Sequence, residues 1–486
     1  MTKRGKKTAP KKRASAHPPH AELRAASPEA AQPMGPLLPE KKRPFWELVF
    51  SLAVAVLLFV ANGALEPTVF GQQLKQMGAR LLQVRLSDSS GWRGNPVSIV
   101  DISSMAPSSP ASATGAMVVT NRCKLTKYLD QVASAGPTAI GVDVIFDPSP
   151  DGIVSGEDSK FLDHCLNLKG PRGGLIPVRV GIYSTLALGP DRWLGDPRFK
   201  CLGTSIIVPY EDEDHKSAPT GRMFRQVSFK VNNQTVKADS LSYNLFKIAK
   251  REATDLQVKR TPCWLCAQMK RIRCWLCAHK PTQYEKGHVK VEADTFPINF
   301  GLLQKLMKLD EGLKPDEGFR IKAEDIGSHR RALCNKIVLI GRATPGEAPD
   351  AFTTAASDEP IPGIYIHAAA VYTLMEAPLY ELSEWVRYPI DFLLALAIFV
   401  IDRWLDHMVG SFFHDKVRTW LEVMVPAVLA VVVVVLGGFL VEHTSIYWTD
   451  FVVVALVLLI HKPFEAVCHS VWEVVQKSPR LLWRKT

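Results

Sequence analysis

The sequence predicts an α/β extracytoplasmic domain, a mixed sheet with βαβ units, attached to four transmembrane α-helices. Three observations lead to this prediction. Short β-branched runs alternate with helically spaced apolar residues between residues 97 and 374, as in strands joined by helices. Four apolar runs of about the length that a bilayer requires flank this region. Basic residues are concentrated outside the first and the last of these runs, where they indicate membrane topology.

The charge of the chain lies mainly at its two ends. The formal net charge is +11, and residues 1–43 hold eleven Lys or Arg residues against three Glu residues. The segment from residue 461 onward is also basic, so the rest of the chain is close to neutral. A basic excess beside membrane segments indicates topology rather than binding to DNA or RNA. We therefore expect no nucleic-acid partner.

The first 65 residues predict a tail followed by a membrane anchor. Residues 1–43 are rich in Lys, Ala and Pro and poor in large apolar side chains, which predicts a disordered basic cytoplasmic tail. Residues 44–65 form an apolar run with one charge, Glu47, and are long enough for transmembrane helix 1. The basic block before this run predicts an uncleaved anchor whose N-terminus is cytoplasmic.

Residues 66–384 are of mixed polarity and form the predicted extracytoplasmic domain. Val97–Ile102 and Ala139–Phe146 are predicted strands, and the apolar spacing of residues 125–132 predicts a helix between them. These three elements form a βαβ unit with a right-handed crossover. The other predicted elements are strands at Leu175–Val180, Ser205–Val208, Arg225–Val231, Pro297–Phe300 and Lys336–Ile340, a helix at Asp239–Lys250 capped by Ser240, and a helix after Pro362-Gly363.

Three further apolar runs follow the domain. Residues 385–404, 420–441 and 445–460 are predicted as transmembrane helices 2, 3 and 4, with a cytoplasmic loop at 405–419. Only three residues separate the last two runs, so these two form a hairpin. Counted from a cytoplasmic N-terminus, four spans place the basic amphipathic tail, residues 461–486, in the cytoplasm.

Acidic residues follow three predicted strands where each strand ends. Asp101 ends the first strand, Asp143 and Asp147 lie at the end of the second, and Asp350 follows the last. Parallel strands bring their carboxyl ends to one edge, where open α/β sheets bind ligands. This edge is predicted to bind a cation or a polar ligand; alternatively, the acidic side chains cap loops and helices. The predicted ligand-binding residues are Asp101, Asp143, Asp147, Gly341, Asp350 and His367.

A cysteine-rich insertion at residues 251–290 contains two C-x-x-C pairs in a short tandem repeat, CWLCAQMKRIRCWLCAHK. The predicted metal ligands are Cys263, Cys266, Cys274 and Cys277, which suit one structural zinc with four thiolates. Structural disulfides are an equal alternative, because eight of the nine cysteines lie in the predicted extracytoplasmic part. A redox role, favoured by nearby arginines, or an inert duplication is the third interpretation.

Several sequence segments of the domain resemble those of one protein family. They are VSIVDIS (97–103), AIGVDVIFD (139–147), KIVLIG (336–341), Asp350 and PGIYIHA (362–368). In order and spacing, the chain resembles the CHASE2 family over roughly residues 97–374. This resemblance implies an extracytoplasmic sensor domain of a bacterial signalling protein. The protein is therefore expected in the inner membrane, with the domain in the periplasm. Such domains commonly precede a cytoplasmic kinase or cyclase. No signature of either occurs here, which implies a stand-alone membrane version without an output domain.

The predicted function is sensory. The protein is expected to bind a small extracytoplasmic ligand and to signal through its transmembrane helices to a separate membrane or cytoplasmic protein. The alternative is a structural or scaffold component of a cell-envelope complex without a small ligand. The expected partners also include the lipid bilayer, and a homo-oligomer is compatible with the sequence. No enzyme is expected, because the chain has no nucleophile elbow, Walker loop or kinase signature.

Overall fold

The computed structural model describes most of the domain and of the C-terminal helices. The described residues are 68–89, 96–105, 120–144, 156–181, 205–206, 221–231, 234–257, 282–286, 289–301, 319–344, 351–354, 357–382, 384–412, 415–460, 463, 467 and 470–471. The predicted N-terminal tail and transmembrane helix 1 lie outside them, as do the four C-x-x-C cysteines and nearly all of the predicted C-terminal tail.

Fourteen strands and nine helices provide the framework of the described chain. The strands are β1 Val97–Asp101, β2 Ala139–Asp143, β3 Val178–Val180, β4 Ser205–Ile206, β5 Arg222–Val231, β6 Gln234–Ser240, β7 Thr282–Lys286, β8 Val289–Pro297, β9 Arg320–Lys322, β10 Ile337–Gly341, β11 Ala351–Thr354, β12 Ser357–Pro362, β13 Tyr380–Glu381 and β14 Ile446–Tyr447. The helices are α1 Val69–Ser89, α2 Arg122–Ser134, α3 Gly156–Asn167, α4 Leu241–Gln257, α5 Arg330–Leu333, α6 Gly363–Met375, α7 Glu384–Phe412, α8 Asp415–Thr444 and α9 Phe451–Ile460.

A parallel five-stranded sheet forms the centre of the domain, in the order β3-β2-β10-β1-β9. Every residue of β1, β2 and β10 is buried, which explains why these strands are continuous apolar runs rather than alternating ones. The predicted βαβ unit of β1, α2 and β2 is present. Its two strands are not neighbours, however, because β10 lies between them.

The two faces of the parallel sheet pack against different helices. Side chains such as Val100 and Ile340 share one apolar cluster with α2 and α3. Side chains such as Ile99 and Leu339 share a second cluster with α4 and α6. The predicted cap of α4 is confirmed, because the Ser240 hydroxyl accepts a hydrogen bond from the backbone N–H of Tyr243 at 3.2 Å.

A second five-stranded sheet has the order β4-β6-β5-β8-β7 and is antiparallel except for the β4–β6 pair. The β structure is thus divided into a parallel and a largely antiparallel sheet, where the sequence predicted one mixed sheet. The prediction of a strand at Pro297–Phe300 was wrong, since β8 ends at Pro297. The apolar residues after it are buried by packing rather than by pairing with another strand.

The C-terminal helices include the segments that the sequence predicts to cross the membrane. Residues 385–404 lie within α7, and residues 420–441 lie within α8. In the part of the chain that the structure describes, one segment, Met424–Thr444, has the length and apolar composition of a membrane span. The predicted fourth span, 445–460, begins with β14 and a turn, so that its helix starts only at Phe451.

A third apolar cluster joins these helices to α1, an element that the sequence did not predict. Leu82 and Leu86 of α1 share this cluster with side chains of α8, α9 and the segment between α6 and α7. The short strand β13 lies immediately before α7 and pairs in parallel with β14, which lies immediately before the turn into α9. The chain therefore passes from the domain to the helices through a compact junction.

Candidate functional site

Asp101, Gly341 and Asp143 form a row across three adjacent parallel strands. The register pairs Asp101 with Gly341 and Gly341 with Asp143, at the carboxyl ends of β1, β10 and β2. The prediction that these strand ends meet at one edge is therefore confirmed. Asp147 and Asp350, the other two acidic residues assigned to this edge, lie outside the described residues.

The Asp101 carboxylate organises the loop that follows β10. It accepts hydrogen bonds from the hydroxyl and the backbone N–H of Ser103 at 2.6 and 2.9 Å, and from the Ala343 N–H and the Thr344 hydroxyl, both at 3.0 Å. Burial raises the pKa of Asp101, but these hydrogen bonds outweigh burial and leave the pKa below its usual value. Asp101 therefore acts as a loop anchor, the alternative that the sequence left open.

Asp143 has the opposite environment. The residue is 9% exposed, and its side chain forms no hydrogen bond or ion pair with the residues that the structure describes. Burial without a compensating partner raises the pKa of Asp143 to about 7. This carboxyl group can therefore be either protonated or ionised near neutral pH.

Gly341 lies where β10 meets the first turn of α6. A Cβ atom at this position would lie 2.6 Å from Cδ1 of Ile364 and 2.9 Å from the backbone oxygen of Asp143. Only glycine, which has no Cβ atom, permits this close approach. The role of Gly341 is therefore to let β10 pack directly against the first turn of α6. The N-terminus of α6, which has no side-chain cap, consequently lies beside the row. Such a terminus carries a partial positive charge.

His367 lies at the contact between α4 and α6. Its ring is buried, and its Nδ1 atom is 2.9 Å from the hydroxyl of Ser242 on α4. The structure therefore gives this imidazole a partner between two helices. The sequence placed His367 correctly on α6, but the contact with Ser242 depends on how the two helices pack.

Two residues that the sequence analysis missed extend the edge beyond Asp101. Nη1 of Arg320, on β9, is 3.4 Å from the hydroxyl of Tyr365 in the first turn of α6, and its Nε atom is 4.0 Å from Asp101. Arg320 belongs to no recognisable motif, and Tyr365 lies in the PGIYIHA segment (362–368), which indicated the family but not this contact. The position of Arg320 follows from the pairing of β9 with β1, which no local pattern indicates.

The described residues include no group of three or more His, Cys, Asp or Glu side chains arranged to hold a metal ion. The predicted zinc ligands lie outside them, so the zinc site stays a prediction. Cys123 and Cys334, which the structure does describe, are exposed and are not joined in disulfides.

Comparison of the sequence with known protein families finds a match to one family model. The CHASE2 domain model matches residues 49–401, which is more than half of the chain and includes the parallel sheet, α6 and the first part of α7. No curated protein and no solved structure matches the chain. CHASE2 domains are extracytoplasmic sensor domains. The chain belongs to the CHASE2 family.

Proposed function

We propose that this protein is a sensory protein of the bacterial inner membrane that binds a small polar ligand at the carboxyl edge of its parallel sheet. The observation that supports this most strongly is Asp143. This buried carboxyl group has no partner among the described residues, and it lies in a row with Gly341 and Asp101. A buried polar group without a partner is costly, and a ligand with a hydrogen-bond donor or a positive charge would satisfy it.

The surroundings of Asp143 suit a ligand with groups of both polarities. Asp143 would bind a donor or a cation, whereas Arg320 and the α6 N-terminus would favour an acceptor or an anion. Asp101 is already bonded to Ser103, Ala343 and Thr344, so its role is to hold the edge in shape. In this proposal Asp143, Arg320 and the α6 N-terminus bind the ligand, whereas Asp101 stabilises the shape of the edge.

A short path leads from this edge toward the membrane helices. Helix α6 begins beside the row and ends at Met375, and Leu379 and Leu382 then enter the cluster that includes α1, α8 and α9. Glu381 of β13 accepts a hydrogen bond from Arg222 of β5 at 2.5 Å, immediately before α7 begins. A ligand that prefers one arrangement of α6 would shift the equilibrium of the helices that follow it, and so act on a separate partner protein.

The proposed topology has four spans, with both termini in the cytoplasm and the domain in the periplasm. It is supported by the surfaces of α7 and α8, which expose many large apolar side chains. Examples are Leu393, Val400, Val431, Val435 and Phe439. Many exposed apolar side chains on two long helices are unfavourable in water and suit the hydrocarbon of a bilayer. The cysteine-rich insertion would lie in the periplasm and hold one structural zinc or disulfides.

A thermal-shift experiment tests ligand binding. Full-length protein in detergent is screened against a panel of amino acids, sugars, carboxylic acids and divalent cations. A compound that raises the melting temperature of the wild type should have a much smaller effect on Asp143→Asn. Asp130→Asn, a change at an exposed carboxylate bonded to His164, is the control and should retain the full shift.

The scaffold alternative predicts a different outcome. No compound would shift the melting temperature, and full-length protein purified from membranes would carry other envelope proteins at fixed stoichiometry. A ligand shift that is equal in the wild type and in Asp143→Asn would contradict the proposed site while leaving the sensory role in place.

A further inference from the structure

Helix α1 contacts both the domain and the membrane helices. The contact with the domain is made by Gln83, whose side chain is buried. Its amide Nε2 donates to the backbone oxygen of Ile298 at 2.8 Å, while its Oε1 accepts from the backbone N–H groups of Phe300 and Gly301 at 2.8 and 3.1 Å. Three hydrogen bonds from one buried side chain hold α1 firmly to the segment after β8.

The same segment after β8 is bonded to α6, the helix that begins at the candidate site. The backbone N–H of Asn299 donates to the hydroxyl of Thr373 at 2.9 Å, and this hydroxyl donates to the backbone oxygen of Ala369 at 2.7 Å. Residues 298–301 are therefore held by α6 on one side and by Gln83 on the other. A displacement of α6 would reach α1 through these bonds.

Eight residues before Gln83, Lys75 faces the turn that precedes α9. Its Nζ atom is 4.0 Å from Oδ1 of Asp450, while Nε of Arg387 on α7 is only 2.9 Å from Oδ2 of the same carboxylate. Asp450 is buried, so its charge depends on these cations. Asp450 is thus shared unequally between a close cation on α7 and a more distant one on α1.

Two further contacts make this turn sensitive to movement of α1. A Cβ atom on Gly78 would lie 2.4 Å from the backbone oxygen of Thr449, so α1 packs directly on the turn without an intervening side chain. On the other side, Nε1 of Trp448 donates to Oδ1 of Asp391 on α7 at 3.1 Å, and both residues are buried. The turn Trp448–Asp450 therefore lies between α1 and α7.

We propose that α1 is a coupling helix that carries displacements of the sensor domain from Gln83 to Lys75, where they change how Asp450 is shared with Arg387. This proposal rests on the proposed sensory function and adds a route separate from the direct one through β13 into α7. A shift of α1 by roughly 1 Å would bring Lys75 within hydrogen-bond distance of Asp450. A small movement at the domain would thereby become a change of ion-pair partner between membrane helices.

Hydrogen exchange of full-length protein in lipid nanodiscs tests this coupling without a ligand or a partner. Gln83→Leu removes the contact with the domain together with a hydrogen bond to Tyr447 of β14, and Lys75→Met removes only the contact of α1 with Asp450. If α1 couples them, Gln83→Leu raises exchange several-fold in α7 residues 387–394, and Lys75→Met raises it several-fold at residues 298–301. Arg85→Gln is the control, because this exposed side chain on α1 pairs with Glu442 and should change neither region.

The two variants are independent tests, because coupling between two sites is reciprocal. If exchange after each substitution rises only beside the substituted residue, α1 does not couple the two regions and the proposal is wrong. If one variant does not fold, the other one decides. Since no ligand is involved, this result is separate from the thermal-shift screen: coupling without any ligand shift would contradict the proposed ligand site and retain the coupling helix.

Discussion

At the scale of single residues, the candidate site contains two carboxyl groups at one sheet edge whose pKa values are shifted in opposite directions. Asp101 and Asp143 are separated by Gly341 alone in the row, and both are buried. Hydrogen bonds from Ser103, Ala343 and Thr344 stabilise the ionised form of Asp101. Asp143 receives no such bonds from the described residues, so burial favours its neutral form. The difference in charge follows from the donors, not from the residue type.

We predict that Asp143→Asn changes the pH dependence of stability. The pKa of Asp143 is raised in the folded protein to about 7 from the usual 3.8, so the folded state binds this proton more tightly than the unfolded state. The stabilisation is therefore complete below about pH 4 and is lost as the pH rises through 7, at a cost of up to about 4 kcal/mol. The melting temperature of the wild type should fall from pH 5 to pH 8, and that of Asp143→Asn should fall less.

Asp101→Asn provides the comparison for this experiment. The pKa of Asp101 is lowered, so its carboxylate is ionised at both pH values and its hydrogen bonds are present at both. This variant should be destabilised by a similar amount at pH 5 and pH 8. If the melting temperatures of Asp143→Asn and the wild type change with pH in parallel, the titration of Asp143 does not cause the pH dependence of stability.

At the scale of elements, two adjacent glycines on α8 have different neighbours. A Cβ atom on Gly437 would lie 2.8 Å from the ring of Phe451, where α9 begins. A Cβ atom on Gly438 would meet only the side chain of Arg85, at an ordinary 3.8 Å. Close packing of α8 on α9 therefore requires a glycine at the first position only.

The prediction from this contrast is a paired substitution. Gly437→Ala should destabilise the protein by about 1–3 kcal/mol, because the methyl group displaces the Phe451 ring and separates the two helices. Gly438→Ala should be neutral or slightly stabilising, because alanine favours a helix and the space is free. Melting temperatures of both variants in the same detergent provide the comparison. Equal losses would show that helix backbone effects dominate over the α8–α9 contact.

The cysteine-rich insertion carries a prediction of its own. If Cys263, Cys266, Cys274 and Cys277 hold zinc, purified protein should contain about one zinc ion per chain, and a chelator should release it and expose four reactive thiols. If the cysteines form disulfides, no metal is found and these thiols react only after reduction. Reactive thiols without metal in the native protein would exclude both and favour the redox or inert interpretation.

At the scale of the whole molecule, the charge distribution and the apolar runs predict one topology. Reporter fusions after Met34 and after Lys485 should both report a cytoplasmic position, and a fusion near Asp214 should report the periplasm. The reason is that basic residues next to membrane spans are retained on the cytoplasmic side. A cytoplasmic signal at Asp214 would contradict the periplasmic location of the domain, and with it the proposed site for an extracytoplasmic ligand.

The sequence by itself determined the features that depend on local pattern. Continuous apolar runs such as Ile337–Gly341 predicted buried parallel strands, since a strand covered on both faces has no polar side. The cap at Ser240 and the helix after Gly363 followed from short-range signals of the same kind. The order of the segments was enough to indicate the CHASE2 family.

Only the tertiary structure decided which distant segments meet. It placed β10 between β1 and β2, brought Arg320 beside Asp101, and gave Asp101 hydrogen-bond donors that Asp143 lacks among the described residues. It also joined Gln83 to the segment after β8, on a helix that no periodic signal predicted. These contacts connect residues far apart in the chain. Their free energy depends on burial and geometry that arise only when the layers pack together. A local sequence pattern therefore does not predict these contacts.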